Sequence, residues 1–434
     1  MPEVRNEGSL SRTRLALAGV QWFLFMFANT VVIPLSIGAA FHQSSAVIMA
    51  TMRISFIFTG LACILQALFG HRYALMEGQS GLWWGVMLSL GAVANATGID
   101  LLIAGGGMAT GIILSSLVVS IAGLLGIGSL LKRLFMPAVM GVFLFLLAGQ
   151  LTMVFFRGMV GLSNGNLIDI PVAALSFLLV FLVILINVLG KGSLGNFAIL
   201  IGIAVGWIAH ASFFPSPDTM AVGNSVTFVL FPLGAPNLEL SFVITAFLAG
   251  LLNSANTVAT IRGAEQLYGD ESDPRKYRRS FFLTGINGVF AGLFGLVPYA
   301  PYTSSLGFLQ ATRILHRSAF ILGGILFSLI GLVPALIAFF YTLPISVGSA
   351  VLFVAYLQLI GSALKSLKGM DFNSRTIYRL ALPMLLGFAV MGIPSTAFAS
   401  LPAIIRPLAS NGLLVGILVA LLVENLVGWD KVEQ

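Results

Sequence analysis

The stretch FANTVVIP (Phe27–Pro34) shares the letters Ala-Asn-Thr-Val with a second stretch, SANTVATI (Ser254–Ile261), in the other half of the chain. In both places the polar Asn-Thr pair lies inside an otherwise apolar segment. Four-letter matches occur by chance in so narrow a composition, so the surroundings have to decide what the match means. They indicate an internal repeat that places the same Asn-Thr pair in each half of the chain.

The composition places the chain in a lipid bilayer. Hydrophobic residues make up 58% of the 434 residues, charged residues 9%, and the mean hydropathy is +1.02. A soluble domain carries about 25% charged residues, so these few charges cannot cover a water-exposed surface. The single cysteine, Cys63, excludes an intrachain disulfide. Basic loops of a membrane protein account for the net charge of +7, and no nucleic-acid partner is expected.

Fourteen apolar segments are predicted to span the membrane. Their approximate bounds are 15–38, 44–70, 73–95, 101–128, 136–156, 168–190, 196–214, 239–262, 281–298, 299–314, 318–340, 344–364, 378–397 and 410–428. With a cytoplasmic N-terminus, all 22 Lys and Arg residues except Arg53, Arg157 and Arg406 fall on the cytoplasmic side. This bias follows the positive-inside rule. It predicts a multi-pass inner (plasma) membrane protein with both termini in the cytoplasm.

The segments divide into two sets of seven. The predicted organisation is a cytoplasmic N-terminus (1–14), a first seven-span repeat (15–214), an extracytoplasmic linker (215–238), a second repeat (239–428) and a cytoplasmic C-terminus (429–434). Because each repeat has an odd number of spans, the second is inverted across the membrane relative to the first. The two Ala-Asn-Thr-Val stretches then lie in the first span of each repeat.

The third span of each repeat does not read as a full-length helix. YALMEGQSGLWWG (Tyr73–Gly85) is interrupted by Gly and Ser, and VPYAPYTSSLGF (Val297–Phe308) by Pro and Ser. An extended run over Tyr73–Glu77, at ~3.3 Å per residue, covers ~16 Å, or about half of the hydrocarbon core. Two such broken spans would direct two helix N-termini at one site near the bilayer midplane.

These stretches resemble the nucleobase–ascorbate transporter (nucleobase:cation symporter) family. The likeness lies in QWFLFMFANTVVIP, EGQSGLWWG and PYTSSLGFLQATRILHR, runs over essentially the whole chain, and is nearest to the bacterial purine and xanthine–uracil permease branch. It implies an all-α integral membrane protein with 14 transmembrane segments as two inverted seven-span repeats. It further implies core and gate domains, short strands in segments 3 and 10, alternating access and, in many members, a homodimer.

The resemblance also implies the positions that contact substrate. These are Asn29, Ser80, Gly81, Asn253, Thr303 and Ser304, with Tyr302 and Ser305 adjacent and Tyr356 as a contact from the gate domain. Three positions depart from the family pattern. Trp22 replaces the first-span histidine, Asn253 replaces the carboxylate of the eighth span, and Ser304 replaces an acidic or amide residue of the tenth. Two features tied to proton coupling in relatives are therefore missing.

Amide side chains suit the recognition of a nucleobase. Asn253 and Asn256 are three residues apart and share a helix face. A side-chain amide is both donor and acceptor, so it can pair in two places with the edge of a flat, uncharged base. We expect Asn29 to approach from the other repeat. The alternative is that these buried Asn, Ser and Thr residues only bond neighbouring helices.

Glu77 is predicted to lie near mid-membrane beside the break in the third span. An ionisable group at that depth is costly and usually functional. We hypothesise that Glu77 replaces the missing carboxylates as the proton-coupling site. The alternative is a structural role, in which Glu77 caps the following helix or pairs with Arg53.

The function predicted from these residues is nucleobase transport, with purines such as xanthine, hypoxanthine or urate favoured. H⁺ is the favoured co-transported ion, Na⁺ is the alternative, and no resident cofactor or metal is expected. Uracil transport, uncoupled passage and anion transport on the same architecture stay open. An enzyme is disfavoured, because the pattern Gly78-Gln79-Ser80-Gly81 of intramembrane serine proteases needs a nearby histidine, and only His210 could be deep.

Overall fold

The structure is a computed structural model that describes residues 11–126, 136–162, 167–190, 197–214, 228–271, 273–427 and 429. Much of the predicted linker (215–227), the first ten residues and the C-terminal tail other than Trp429 lie outside the described residues. The same holds for the basic positions Lys132, Arg133 and Lys191, which entered the prediction of membrane sidedness.

The described chain is mostly helical. In order, the elements are α1 (Arg12–Thr30), α2 (Val32–Ala40), α3 (Ser45–Leu68), β1 (Glu77–Gln79), α4 (Gly81–Thr97), α5 (Leu101–Leu125), α6 (Pro137–Met159), α7 (Ile170–Leu189), α8 (Ala198–Phe213), α9 (Leu240–Tyr268), α10 (Pro274–Phe294), β2 (Tyr299–Pro301), α11 (Ser304–Thr312), α12 (Arg317–Gly331), α13 (Pro334–Tyr341), α14 (Ile345–Ser366), α15 (Ser374–Gly392), α16 (Arg406–Ala409) and α17 (Gly412–Leu426). A short 3-10 helix (Ser395–Ser400) follows α15.

Seven helices are long and apolar enough to cross a membrane by themselves, counting α1 and α2 as one. The pair α12 and α13 makes an eighth if it is taken as one span, and its two helices meet at an angle of 89°. Proline explains this break, since Pro334 begins α13 and the preceding Val333 is held in an extended conformation. The protein is therefore an integral membrane protein.

The helices form two groups. The core group contains α1–α5 and α9–α13, in which α5 packs along α9 and α10 while α12 packs along α1 and α3. The gate group contains α6–α8, α14, α15 and α17, in which α6 packs against α14. The two groups meet where α4 of the core contacts α6 of the gate.

The packing repeats between the two halves of the chain. The pair α3 and α12 has its counterpart in α10 and α5, and the pair α1 and α12 has its counterpart in α9 and α5. In the gate group, α7 packs on α8 as α15 packs on α17. The helix that carries the Asn-Thr pair of each Ala-Asn-Thr-Val stretch, α1 or α9, therefore occupies an equivalent place in its half.

The two short strands lie inside the core group. They pair antiparallel in the register Glu77 with Pro301, Gly78 with Ala300, and Gln79 with Tyr299. The ladder is extended on both sides, because the Tyr302 amide donates to the Met76 carbonyl and the Ser80 amide donates to the Pro298 carbonyl, each at 2.8 Å. This non-helical backbone is fully buried in protein, as chain at membrane depth must be.

Candidate functional site

The strands deliver two helix starts to the same region. α4 begins at Gly81, directly after β1 and Ser80, and α11 begins at Ser304, close behind β2. The long helix α9 passes alongside β2 and α11. The candidate site is the place where these three elements come together.

Three predicted residues form one hydrogen-bonded group there, which we call the amide cluster: Ser80, Asn253 and Asn256. The Ser80 hydroxyl donates to Asn253 Oδ1 at 2.7 Å. The Asn256 amide nitrogen donates to Asn253 Oδ1 at 3.0 Å and reaches Ser80 Oγ at 3.3 Å. All three residues are buried. The structure thus brings these three predicted residues, one from the third span and two from α9, into contact.

Asn253 also anchors the second strand. Its amide nitrogen donates to the Tyr299 carbonyl at 2.9 Å, while its oxygen accepts from Ser80 and Asn256. Three hydrogen bonds thus join α9, β2 and the start of α4 through one side chain. Such a residue positions the cluster, and Asn256 keeps its own amide oxygen available for another donor.

The residues predicted near the start of α11 divide into two sorts. Ser305 is fully buried and its hydroxyl accepts from the Met76 amide at 3.0 Å, so it supports the strand pair. Thr303 shares a hydrogen bond with Thr260 of α9 at 3.0 Å. Ser304 is the first residue of α11 and is partly exposed, which leaves its hydroxyl the best placed of the three to meet a ligand.

Tyr302 and Tyr356 link the core and gate groups. The Tyr302 hydroxyl donates to the Gln79 carbonyl, and the Tyr356 hydroxyl of α14 lies close enough to interact with it. A methyl group placed on Gly81 would lie 2.9 Å from Leu151 Cδ1 of α6 and 3.7 Å from the Tyr356 ring. Gly81 therefore permits close packing of the gate group on the start of α4.

Asn29 does not join the amide cluster among the described residues. Its side chain donates to the Phe25 carbonyl of its own helix at 2.8 Å. This hydrogen bond joins Asn29 to its own helix and not to Asn253. Asn29 is nevertheless buried at the junction of α1 and α2, so it remains inside the core group.

The sequence analysis overlooked Gln150 of α6. A methyl group on Gly85 of α4 would lie 2.5 Å from the Gln150 amide carbon, so this amide packs directly on the core helix. Gln150 Oε1 is buried and has no hydrogen-bond partner within the described part of the chain. The sequence feature that could have indicated Gln150 is a single amide side chain in an otherwise apolar helix.

Glu77 is fully buried at the start of β1. Its Oε1 accepts from the Thr284 hydroxyl of α10 at 2.6 Å, and Thr284 accepts from the Gln66 amide of α3 at 3.0 Å. Glu77 Oε2 and Gln66 Oε1 both lack a hydrogen-bond partner among the residues described. Thr284, rather than Arg53, is thus the partner that the geometry gives to this carboxyl group.

A charged group holds the chain that leads into β1. The Tyr73 hydroxyl donates to Asp270 at 2.9 Å and accepts from Lys276 at 2.7 Å, and Lys276 pairs with Asp270 at 2.6 Å. His71 is fully buried beside this group, and its Nδ1 accepts from the Tyr73 amide at 3.0 Å. Burial, with the nearby Lys276 charge, lowers the pKa of His71 to about 3.

The geometry gives no support to the protease alternative. The Ser80 hydroxyl donates to an amide oxygen of Asn253 rather than to an imidazole. His210 lies in α8 of the gate group, where its ring stacks on Phe214 with 4.6 Å between centroids. A serine without an adjacent base is a weak nucleophile.

Solved structures with a similar fold are membrane transporters. The transmembrane domain of the cyanobacterial bicarbonate transporter BicA aligns with a TM-score of 0.59 at 17% identity, covering 91% of this chain and 96% of that one. Murine Slc26a9, an anion transporter in the inward-facing state, aligns with a TM-score of 0.63 at 11% identity, covering 97% of this chain and 69% of that one. At these identities the likeness concerns the fold alone.

Relatives with similar sequences are permeases. "Putative purine permease YwdJ" of Bacillus subtilis strain 168 is 26% identical over 96% of this chain and 97% of its own length. Uric acid permease PucK of the same organism is 25% identical over 94% of both chains. The uracil permease of Escherichia coli K12 is 29% identical over 56% of this chain and 57% of its own.

A family model for xanthine and uracil permeases, described as "Permease family", matches residues 13–396. This range includes the amide cluster, Glu77 and both strands. Since the match covers most of the chain, the protein belongs to this permease family, within the nucleobase–ascorbate transporters, and is a transporter rather than an enzyme.

Proposed function

We propose that the protein carries nucleobases, with purines such as xanthine, hypoxanthine or urate as the preferred substrates, by proton-coupled alternating access. The observation that carries this proposal is the amide cluster. Two amides and a hydroxyl lie together where the start of α4 meets α9 and β2. Such neutral donors and acceptors match the N–H and C=O groups on the edge of a purine, whereas a small inorganic anion such as bicarbonate would favour a basic side chain.

Substrate recognition is assigned to groups that can exchange their present bonds for bonds to a base. Asn256 offers its free oxygen, and Ser80 can rotate its hydroxyl from Asn253 to a ligand. The other proposed contacts are Gly81, Asn253, Tyr302, Thr303 and Ser304, with Tyr356 closing the site from α14. Asn29 and Ser305 are assigned supporting roles, since their side chains bond to backbone.

Coupling is assigned to Glu77. This carboxyl group is fully buried, and its Oε2 has no partner in the described chain, so a proton can be added there without breaking a hydrogen bond. Neutralising a buried charge removes the cost of holding it at that depth. The proton would thus favour reorientation of the core group relative to the gate group.

The proposed topology follows the sequence. Fourteen spans form two inverted repeats, 15–214 and 239–428, joined by an extracytoplasmic linker at 215–238. Both termini lie in the cytoplasm, and the protein is placed in the inner membrane, where it can form a homodimer. The repeated helix packing between the two halves supports this arrangement.

The test is uptake of radiolabelled xanthine, hypoxanthine, urate, adenine, guanine and uracil by cells that lack their own nucleobase transporters. Each base is measured with and without a protonophore, for the native protein, Asn253→Ala and Glu77→Gln. We expect uptake of one or more purines, loss in Asn253→Ala, and loss of accumulation against a gradient in Glu77→Gln.

Each alternative has its own result in the same test. Uptake of uracil alone would replace purines as the substrate, and uptake insensitive to the protonophore and to Glu77→Gln would indicate an uncoupled path. If no base enters above background while bicarbonate or another small anion does, the nucleobase proposal is wrong and the protein is an anion transporter.

A further inference from the structure

A small cavity inside the core group adjoins Asn253 of the amide cluster. Its volume is about 20 Å³, and its polar walls come from Asn253, Ser254 and Thr257 of α9, Ser116 of α5 and Thr284 of α10. About 10–15 Å³ suffices for one water molecule if two to four polar partners surround it. The cavity is thus large enough and polar enough for a single water molecule.

Thr257 supplies the second indication of a bound molecule. Thr257 is fully buried, and its hydroxyl has no hydrogen-bond partner among the residues that the structure describes. A buried hydroxyl without a partner is costly, so such groups usually bond to ordered water. Because Thr257 lines the cavity, a water molecule there would satisfy this hydroxyl.

The same cavity adjoins the two parts of the proposed mechanism. Thr284 lines it and donates to Glu77 at 2.6 Å, while Asn253 lines it and belongs to the amide cluster. A water molecule between them would complete a chain of hydrogen bonds from Glu77 through Thr284 to α9. We infer that this cavity holds a water molecule that relays the protonation state of Glu77 to the substrate site.

The relay works by reversing the direction of its hydrogen bonds. While Glu77 is a carboxylate, Thr284 donates to it and accepts from the water, and the water accepts from Thr257. A proton that binds Glu77 Oε2 reverses the chain once the carboxyl group turns its O–H toward Thr284, which then accepts from Glu77 and donates to the water. The water then donates toward Thr257 and Asn253. The O–H bonds of Thr284, the water and Thr257 turn to new acceptors without breaking, and Glu77 is the one group that gains a proton.

Gln66 helps to distinguish the two states. Its side chain lies near the Glu77 carboxyl group, and its Oε1 has no donor in the described residues. A proton on Glu77 Oε2 could donate to that oxygen. The other titratable groups facing Glu77 are Cys63, whose Sγ donates to the Glu77 carbonyl at 3.4 Å, and Tyr299, whose hydroxyl accepts from Thr59 at 3.3 Å. Both are already engaged in hydrogen bonds.

The inference rests on the proposed function and is tested with the purified protein in proteoliposomes. Two rates are measured with the purine that gives the highest uptake: exchange of labelled for unlabelled base at equal pH, and accumulation driven by a pH gradient. Thr257→Val and Thr284→Val remove the hydroxyls of the relay. Thr245→Val is the matched control in α9, since the Thr245 hydroxyl is buried and donates to its own helix at Ser241. Thr30→Val is the control from the other half.

We expect Thr257→Val and Thr284→Val to lower proton-driven accumulation about tenfold or more, the effect of losing about one buried hydrogen bond. Exchange should stay within about threefold of the native rate, because this step needs no net proton movement. The two control variants should retain both rates. Size-exclusion chromatography of each purified variant shows that it is folded.

Four results would overturn the relay. Accumulation in Thr257→Val at the native level would show that the hydroxyl is not needed, and equal loss of exchange and accumulation would show a packing role. Accumulation driven by Na⁺ rather than H⁺, with a raised Na⁺ requirement in Thr257→Val, would make the cavity a cation site. If the native protein exchanges no nucleobase at all, the proposed function is wrong and the relay fails with it.

Discussion

The two Ala-Asn-Thr-Val stretches have the same letters but different structures. In the first, Asn29 donates to the carbonyl of Phe25 and the helix is divided at Val31. In the second, Asn256 donates to Asn253 and Ser80 from the middle of α9, an unbroken helix of 29 residues. One repeat turns the asparagine toward its own backbone, and the other turns it toward a neighbouring span.

One residue accounts for part of this difference. Four positions after Thr30 stands Pro34, which has no amide hydrogen to bond the Thr30 carbonyl and whose ring crowds it. Four positions after Thr257 stands Ile261, which leaves α9 continuous. The two halves thus share their packing but differ in the chemistry at equivalent positions. An inverted repeat preserves the scaffold, while the polar site can be concentrated in one half.

The largest effect is expected from substitution of Asn253. Its side chain hydrogen-bonds α9, which carries the second Ala-Asn-Thr-Val stretch, to both broken spans. Asn253→Ala removes the acceptor of the Ser80 hydroxyl and the donor to the Tyr299 carbonyl, at a cost of about 1–3 kcal/mol each. We expect purine uptake to fall about 100-fold or more. Asn253→Asp keeps the acceptor for Ser80 but loses the donor to Tyr299, so it should fall between native and Asn253→Ala. Uptake rates at equal amounts of membrane-inserted protein decide the order.

The next effect separates the two copies directly. Asn256→Ala removes a proposed substrate contact and should raise the KM for purine about tenfold, the equivalent of about 1.4 kcal/mol. Asn29→Ala removes a bond to the same helix and should change the KM by less than about threefold. Equal losses in the two variants would show that both halves contribute to binding and that the two asparagines do not differ in role.

A smaller effect, on the pH dependence of stability, is expected from the segments that precede the two strands. His71 precedes β1, whereas the approach to β2 is Leu296-Val297-Pro298, which carries no titratable side chain. With a folded pKa of about 3, His71 stays neutral as the pH falls below 6.5, while the unfolded chain binds a proton. Stability is therefore full above about pH 6.5 and declines as the pH falls toward 3, by about 1–2 kcal/mol at pH 5.

His71→Asn should make the unfolding temperature of the purified protein less sensitive to pH between 7.5 and 5. His42→Asn is the matched control, since His42 is an exposed histidine in the loop before α3. If both variants keep the native dependence on pH, the acid sensitivity lies elsewhere in the molecule.

The sequence was informative where polar residues interrupt apolar runs. Ser80, Asn253 and Asn256 stood out because few polar side chains are tolerated in spans, and the structure brings them together. The direction of the Asn29 side chain could not be read, since it depends on local rotamers and on the kink after it. Gln66, Thr284 and Gln150 were missed because a single polar residue in a helix gives no indication of what lies opposite.

The contact between the core group and the gate group could not be predicted from the sequence either. Gly81 and Gly85 face Leu151 and Gln150 across the boundary. Which glycine serves close packing and which serves a turn is decided by partners that are remote in sequence. Helix existence follows from hydropathy, but the faces that meet follow from the tertiary arrangement.

The most direct test of the central claim is equilibrium binding of xanthine, hypoxanthine, urate and uracil to the purified protein, measured by isothermal titration calorimetry in the native form, Asn256→Ala and Asn29→Ala. At least one purine should bind the native protein, with about tenfold weaker binding to Asn256→Ala and little change in affinity for Asn29→Ala. Binding unaffected by Asn256→Ala, or weakened equally by Asn29→Ala, would contradict a nucleobase site built on the second copy.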